Sequence, residues 1–254
     1  MTGERTASRR AICTALMGVA ALSFAIPAAA GPGDKLRDSL FKNRSGEIEH
    51  PPVACFIGED GRVFTLDRTQ PVPMLKFEDS PEVWALLPSP APRGDVIYKN
   101  DLGEPMLRAT RLGGFTLFSD RRPSGEAVSR AAGCGPLRLL FLSPQALGQR
   151  MLQASVRSGR AARRPVVFEA EATPNSAALI ADSAVLVTLA FLRLSTRDGG
   201  SAILSKVGKV QFAEGRKSSA SYSNGVLRIV VAPSQGLAGR PSSEKVLKVL
   251  KNGK

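Results

Sequence analysis

The chain is poor in the side chains that most enzymes and metal sites use. Its 254 residues include one histidine, three cysteines and one tryptophan. One histidine and the two distant cysteines that lie after residue 30 cannot supply the four ligands of a structural zinc site. His50 precedes two prolines in a polar segment, which favours a solvated loop residue over a partner in a Ser-His-Asp or Cys-His site. We therefore expect neither a metal ion nor a catalytic triad.

The sequence also lacks the motifs that bind nucleotides or mark a serine nucleophile. It contains no G-x-S-x-G and no Walker loop. Gly133-Cys134-Gly135-Pro136 differs from a dinucleotide-binding loop, because a proline follows the second glycine and no helix is expected there. Ser242 and Lys245 match S-x-x-K, but only 9 residues follow Lys245, which leaves no room for the K-[ST]-G strand of penicillin-recognising enzymes. No cofactor is expected.

Residues 1–30 have the pattern of a secretory signal. Three arginines precede an uncharged apolar run from Ala11 to Ile26, and Ala28-Ala29-Ala30 supplies small residues for cleavage. The run of about 16 residues is shorter than the roughly 20 needed to span a bilayer, which argues against a retained transmembrane anchor. We expect a mature chain that begins at Gly31 in the periplasm or outside a bacterial cell. Ser8–Ile12 partly resembles a twin-arginine signal, so the general and twin-arginine export routes both stay open.

Export would place Cys55 and Cys134 in an oxidising compartment, where two cysteines can pair. A disulfide between them would close a loop of about 80 residues, which the chain-entropy model values at about 4 kcal/mol. Two separate buried thiols are the alternative, because the spacing alone does not fix the distance between the sulfur atoms. The pairing is the preferred prediction.

Positive charge accumulates in the later part of the chain. The formal net charge is +13, and the positive excess lies after residue 92, because residues 31–92 contain more acidic than basic residues. Arg157, Arg160, Arg163 and Arg164 fall within eight residues. An exported protein meets anionic lipid, glycan or envelope proteins rather than nucleic acid, so these arginines predict a patch for an anionic surface. The alternative is a solvated loop whose arginines favour the C-terminal dipole of the preceding helix.

A second polar cluster lies between residues 93 and 111. Asp101, Glu104, Arg108 and Arg111 predict a compact acidic and basic site for a polar ligand. Ordinary salt bridges on the surface of a hairpin are the alternative. Carboxylate pairs also perform acid–base chemistry when their separation and burial are suitable. An envelope hydrolase or transferase that uses Asp101 and Glu104 is therefore the second functional hypothesis.

Short apolar runs and turns predict an antiparallel sheet in the first half of the domain. Turn residues such as Asp60-Gly61 separate these runs as far as residue 118. Residues 119–136 predict a loop rich in arginine, proline and glycine. A polar, flexible lead-in is expected at residues 31–50, and residues 51–254 are expected to form a single domain.

The second half predicts mixed strands and helices. Ser143-Pro144 opens a helix to about Ser158, and Thr173-Pro174 opens one over about 174–195. The latter is apolar around much of its circumference, which predicts a buried central helix. Strands are expected at 137–142, 166–170, 202–204, 207–212 and 226–231, and an amphipathic helix over 243–250. Together these patterns predict an α+β fold with a β-rich N-terminal half.

Three stretches resemble one protein family. They are Val83–Leu86, Pro92–Phe118 and Leu237–Ser243. They resemble an uncharacterised family of exported bacterial proteins defined by a domain of unknown function that covers most of the mature chain. The resemblance implies an envelope destination and carries no activity, cofactor or catalytic residue. The leading functional hypothesis is a non-enzymatic periplasmic protein that binds or maintains the envelope through a basic face.

We expect the protein recovered from the exported fraction of its host to begin at Gly31, since cleavage follows Ala30. Intact-mass measurement and N-terminal sequencing check this. A chain that begins at Met1 in a cytosolic fraction would remove the argument for an oxidised cysteine pair. It would also favour RNA or DNA, rather than an envelope component, as the partner of the surplus arginines.

Overall fold

A computed structural model describes residues 51–253, all of which belong to one compact unit, residues 47–254. The expected signal, its cleavage after Ala30, the lead-in at 31–50 and His50 lie outside the described residues. The described part has the α+β architecture that the sequence predicts. A large antiparallel sheet comes first, and helices around a second, mixed sheet follow it.

The first half is an antiparallel meander. Its strands are β1 (Val53–Gly58), β2 (Val63–Asp67), β3 (Met74–Phe77), β4 (Val83–Ala85), β5 (Leu87–Pro90), β6 (Val96–Lys99), β7 (Pro105–Ala109), β8 (Phe115–Ser119) and β9 (Arg122–Ala131). Their hydrogen-bonded order is β4-β3-β2-β1-β9-β8-β7-β6-β5. Leu86 alone separates β4 from β5, which occupy the two ends of this order. The sheet therefore curls until its ends meet in one bent segment, and we call this closed sheet the cylinder.

Apolar side chains fill the cylinder, because alternate residues of each strand face inward. The Phe56 and Phe64 rings stack with centroids 5.3 Å apart, and the Phe64 and Phe77 rings lie 5.8 Å apart. The other buried members are Ala54, Leu66, Leu75, Trp84, Leu86, Tyr98, Leu107, Phe115 and Leu117. With β4 and β5 counted as one bent strand, the closed sheet has eight strands, and a barrel of this size leaves an interior that side chains can fill. This core holds the turns at each end of the cylinder in place.

Strand β9 occupies residues for which the sequence predicted only a loop. It closes the cylinder by pairing with β1, where Cys55 lies opposite Ala131, and with β8, where Phe115 lies opposite Val128. Gly125 adopts φ +85° beside an irregularity in the β8–β9 register. A Cβ atom at this position would approach the Thr116 Cγ2 atom to 2.5 Å. Long-range pairing on both sides, rather than local composition, makes this segment a strand.

The second half packs helices against a smaller sheet. Its strands are β10 (Val167–Ala170), β11 (Lys209–Glu214), β12 (Ser219–Ser223) and β13 (Val226–Val231), in the order β10-β11-β13-β12. Its helices are α1 (Pro144–Ala162), α2 (Ala177–Ser195), α3 (Gly200–Leu204) and α4 (Ser243–Asn252). The first three strands of the order are parallel, and β12 runs antiparallel to β13 through a turn at Asn224-Gly225.

Two predicted strands of this half are wrong. Residues 202–204 lie in α3, because an apolar run of three is too short to distinguish a helix from a strand. Residues 137–142 have no regular structure. There the Leu137 N–H donates to Asp67 Oδ2 (2.7 Å), and the Leu137 carbonyl accepts from Gln70 Nε2 (2.7 Å). Side chains of the cylinder thus satisfy a backbone that would otherwise require a neighbouring strand.

Helix α2 is the predicted buried centre of the second half. Among the described residues it alone is long and apolar enough to cross a membrane, with a mean hydropathy of 1.9 over its most apolar window. However, 67% of that window is buried inside the protein. Phe191, Leu194 and their neighbours join the core formed with α1, α4 and the inner face of the second sheet. The extent of burial identifies α2 as a helix of the protein core.

Cys55 and Cys134 form the predicted disulfide, with their Cα atoms 5.6 Å apart. Cys55 lies in β1, and Cys134 follows the end of β9, the strand that pairs with β1. Thr65 Oγ1 also donates to Cys134 Sγ (3.0 Å). The disulfide therefore fastens the start of the connection to α1 onto the cylinder.

Replacing both cysteines by alanine should lower the free energy of unfolding by about 4 kcal/mol, since the lost disulfide spans 79 positions of the chain. Urea unfolding of the oxidised protein measures the difference. The matched control is Thr65→Val, which removes the hydrogen bond to sulfur but keeps the disulfide and should cost about 1 kcal/mol. Two free thiols in the denatured, unreduced protein would contradict the pairing.

Candidate functional site

The cylinder and the second half meet in a buried polar network at the start of α4. Ser242 caps this helix, because its Oγ accepts a hydrogen bond from the Lys245 N–H (3.1 Å). Glu82, fully buried before β4, accepts from the Ser243 N–H (2.8 Å) and from Ser243 Oγ (2.6 Å). Asp101, in the β6–β7 turn, accepts from the Ser242 N–H (3.0 Å) and from Ser242 Oγ (2.5 Å). Two carboxylates thus meet a helix N-terminus, where free N–H groups and the helix dipole favour negative charge.

Two arginines complete the network. Arg193 of α2 donates to Ser243 Oγ (2.6 Å) and to Glu244 Oε1 (2.9 Å), and its Nη2 lies 3.4 Å from Glu82 Oε2. Arg240, which is buried whereas Arg193 is partly exposed, donates to the Val83 carbonyl (3.0 Å) and pairs with Asp182 of α2. Buried charges are stable only when they are paired and hydrogen-bonded. Each arginine therefore binds the segment before β4 to the helices of the second half.

A cleft of about 890 Å³ opens beside this network, at one end of the cylinder. Its walls come from strand ends and turns of the cylinder, from the end of α2 and from the first turn of α4. The apolar lining residues are Phe77, Trp84, Met106 and Phe118, and the charged ones are Arg62, Glu104, Asp120, Arg193, Arg197 and Glu244. Volumes of this size are typical of small-molecule sites.

The structure does not bring the four residues of the predicted ligand cluster together in one site. Asp101 is bound to Ser242, whereas Glu104 is exposed on the rim of the cleft and accepts from Asn100 Nδ2 (2.9 Å). Arg108 lies further along the hairpin and donates to Asp95 through Nε (2.8 Å), and the Arg111 N–H also donates to Asp95 (3.1 Å). These contacts, with Arg108 first, lower the pKa of Asp95. Of the four predicted residues, Glu104 alone lines the cleft.

The structure places the four predicted patch arginines together and exposed at the end of α1. Arg157 and Arg160 lie in its last turns, and Arg163 ends the helix with φ 54°. Arg164 donates to the Ser205 carbonyl (2.5 Å). Within residues 51–253, none of the four forms an ion pair with a carboxylate. Their positive charge is therefore not neutralised by direct partners in this part of the chain.

Sequence reasoning missed Glu82, Arg193, Arg240 and Ser243. Glu82 and Ser243 are 161 positions apart in the chain, so no local spacing connects them. Ser242-Ser243-Glu244 could have been recognised as the cap of the last helix, since Ser is a favoured N-cap residue and an acidic residue favours the first turn. The buried partners of that cap carry no comparable local signal.

Residues 35–250 match a domain of unknown function, DUF4908. The chain belongs to this family. The DUF4908 match extends across both sheets, the polar network and the cleft, so these features belong to one family domain. Comparison with curated proteins and with solved structures finds no match. Within residues 51–253, no group of three or more His, Cys, Asp or Glu side chains is arranged to hold a metal ion.

Burial raises the pKa of Glu82 above its ordinary value of 4.5, against the opposing effects of Ser243, Arg193 and Arg240. The folded protein therefore holds this proton more tightly than the unfolded chain does. The resulting stability is fully present below pH 4.5 and is lost as the pH rises through the pKa of the folded state. Relative to Glu82→Gln, the free energy of unfolding of the unmodified protein should fall as the pH rises above 4.5.

Urea unfolding across the pH range measures this difference, because other titrating groups cancel between the two proteins. Glu78→Gln, at an exposed carboxylate in the preceding loop, controls for the loss of one negative charge. The pH-dependent difference should be larger for Glu82→Gln than for the control. A difference that instead grows with pH would show that Ser243 and the two arginines outweigh burial.

Proposed function

We propose that the protein is a non-enzymatic binding protein that docks on an anionic lipid bilayer through residues 127–168, here called the basic segment. The observation that carries the proposal is the composition of this segment, which contains seven arginines and no lysine, aspartate or glutamate. Each cation near an anionic membrane contributes about 1 kcal/mol. A segment without acidic residues has no side chains of its own to offset that attraction.

Exposed apolar side chains accompany the arginines. Leu140 and Phe141 are 84% and 79% exposed directly before α1, and Leu152 and Val156 on the helix are 66% and 46% exposed. Leu152, Val156 and Arg160 recur every fourth residue, so they share the outer face of α1. Large apolar side chains beside arginines favour a bilayer over a soluble glycan, because they can enter the boundary between headgroups and acyl chains.

The hydrolase or transferase hypothesis gains no support from the arrangement of its two carboxylates. Ser242 engages both oxygens of Asp101 at the start of α4, and Glu104 is hydrogen-bonded to Asn100. General acid–base catalysis requires a carboxyl group within hydrogen-bond reach of the proton that it transfers, and Ser242 already occupies both oxygens of Asp101. The expected export, which would bring the basic segment to an envelope membrane, remains a prediction.

The triple variant Arg157→Gln, Arg160→Gln, Arg163→Gln should bind vesicles that contain phosphatidylglycerol about 100-fold more weakly than the unmodified protein, since three cations are removed. Co-sedimentation with vesicles measures the affinity. Added salt should weaken binding of the unmodified protein, because exposed charges are screened. All variants share residues 1–50, so their differences report only the substituted positions.

The matched control carries Arg121→Gln, Arg122→Gln and Arg216→Gln, three exposed arginines outside the basic segment. It loses the same charge and should retain most of the affinity. Vesicles of phosphatidylcholine alone should bind weakly. Equal affinity of the two triple variants, or binding that is indifferent to salt, would refute docking through the basic segment.

A further inference from the structure

We infer that the cleft at the end of the cylinder binds a small zwitterion with an apolar body, the chemical class of apolar amino acids and short peptides. This inference does not rest on membrane docking, because every residue that lines the cleft lies outside the basic segment. The volume of about 890 Å³ is within the range of sites that take small organic molecules.

The apolar lining supplies the contact area for the body of the ligand. Trp84 and Phe77 are largely buried, and Met106 and Phe118 are partly exposed at the same opening. The Arg62 guanidinium lies 4.2 Å from the centre of the Phe77 ring, which leaves Trp84, Met106 and Phe118 for an incoming side chain. Removing apolar surface from water at this wall would contribute to the affinity.

The charged groups of the cleft are of both signs, and most of them already have partners. Arg62 pairs with Asp79 at 3.3 Å, and Arg193 pairs with Glu82 and Glu244. The Arg197 guanidinium, just after α2, has no hydrogen bond or ion pair with any residue in 51–253, and the same holds for the Asp120 carboxylate in the β8–β9 turn. One guanidinium and one carboxylate therefore remain available, which suits a ligand that carries one charge of each sign.

A carboxylate on the ligand would accept hydrogen bonds from Arg197, the strong charge-assisted type. An ammonium group would meet Asp120, since Glu104 on the same rim already accepts a hydrogen bond from Asn100. A purely anionic ligand would leave Asp120 without a counter-charge, and a purely cationic one would leave Arg197 without one. The balance of the free charges thus selects the zwitterion.

Trp84, the one tryptophan of the chain, reports on the cleft directly. The full chain is titrated with leucyl-leucine, with its N-acetyl derivative, which lacks the ammonium, and with its C-terminal amide, which lacks the carboxylate. We expect leucyl-leucine to change the Trp84 fluorescence and to bind about threefold to tenfold more tightly than either derivative.

Two variants assign the charges. Arg197→Gln should abolish the preference for leucyl-leucine over its amide, and Asp120→Asn should abolish the preference over the N-acetyl derivative. Both residues are exposed, so the thermal midpoint of each variant should match that of the unmodified protein. Arg216→Gln and Glu78→Gln are the charge-matched controls and should leave both preferences intact. The triple variant of the basic segment should also bind leucyl-leucine normally.

No change in Trp84 fluorescence with any of the three peptides would overturn the site. Equal affinity for all three would overturn the zwitterion and leave only an apolar cleft. Unchanged preferences in Arg197→Gln and Asp120→Asn would overturn the assignment of these two residues. None of these outcomes depends on binding to vesicles, so failure of membrane docking and failure of the cleft are distinguishable.

Discussion

The fold depends on satisfying one buried carboxylate. Glu82 is removed from water at the junction of the two halves, and an unpaired charge there would be prohibitively unfavourable. Its closest hydrogen-bond donors are the backbone N–H and the hydroxyl of Ser243, which lies at the start of a helix near the far end of the sequence. The first residue of α4 must therefore lie next to the residue that precedes β4. Trp84 lies two residues after Glu82, so the same constraint positions an aromatic wall of the cleft.

The segment that satisfies this constraint also closes the cylinder. Residues 83–90 run from β4, paired with β3, into β5, paired with β6, and Leu86 between them is fully buried in the core. The Val83 carbonyl accepts from Arg240 immediately before this bend. Closure of the cylinder and attachment of the helices are therefore coupled through a few consecutive residues. Weakening the polar network would loosen the cleft as well, since both halves provide its walls.

The sequence predicts elements well where the determining contacts are local. Strand β13 coincides with the strand expected at 226–231, because an apolar run and the turn before it define it. The cap at Ser143-Pro144 likewise marks the start of α1. Strand β9 was missed, because its mostly polar, exposed residues show no alternation and its identity comes from β1 and β8. The polar network was missed for a related reason. The contacts between its elements join residues 50 to 161 positions apart, and periodicity carries no information over such separations.

The basic segment and the cleft differ in how their charges are balanced. The basic segment contains no acidic residue that could offset its arginines. The positive potential outside α1 therefore attracts anions over a distance set by the ionic strength. The cleft neutralises half of the charged residues that line it, through Asp79, Glu82 and Glu244. Ionic strength should therefore affect the two surfaces unequally, because exposed charges are screened more than buried pairs. A single domain can thus present a long-range electrostatic surface and a short-range, shape-dependent site that do not compete for the same ligand.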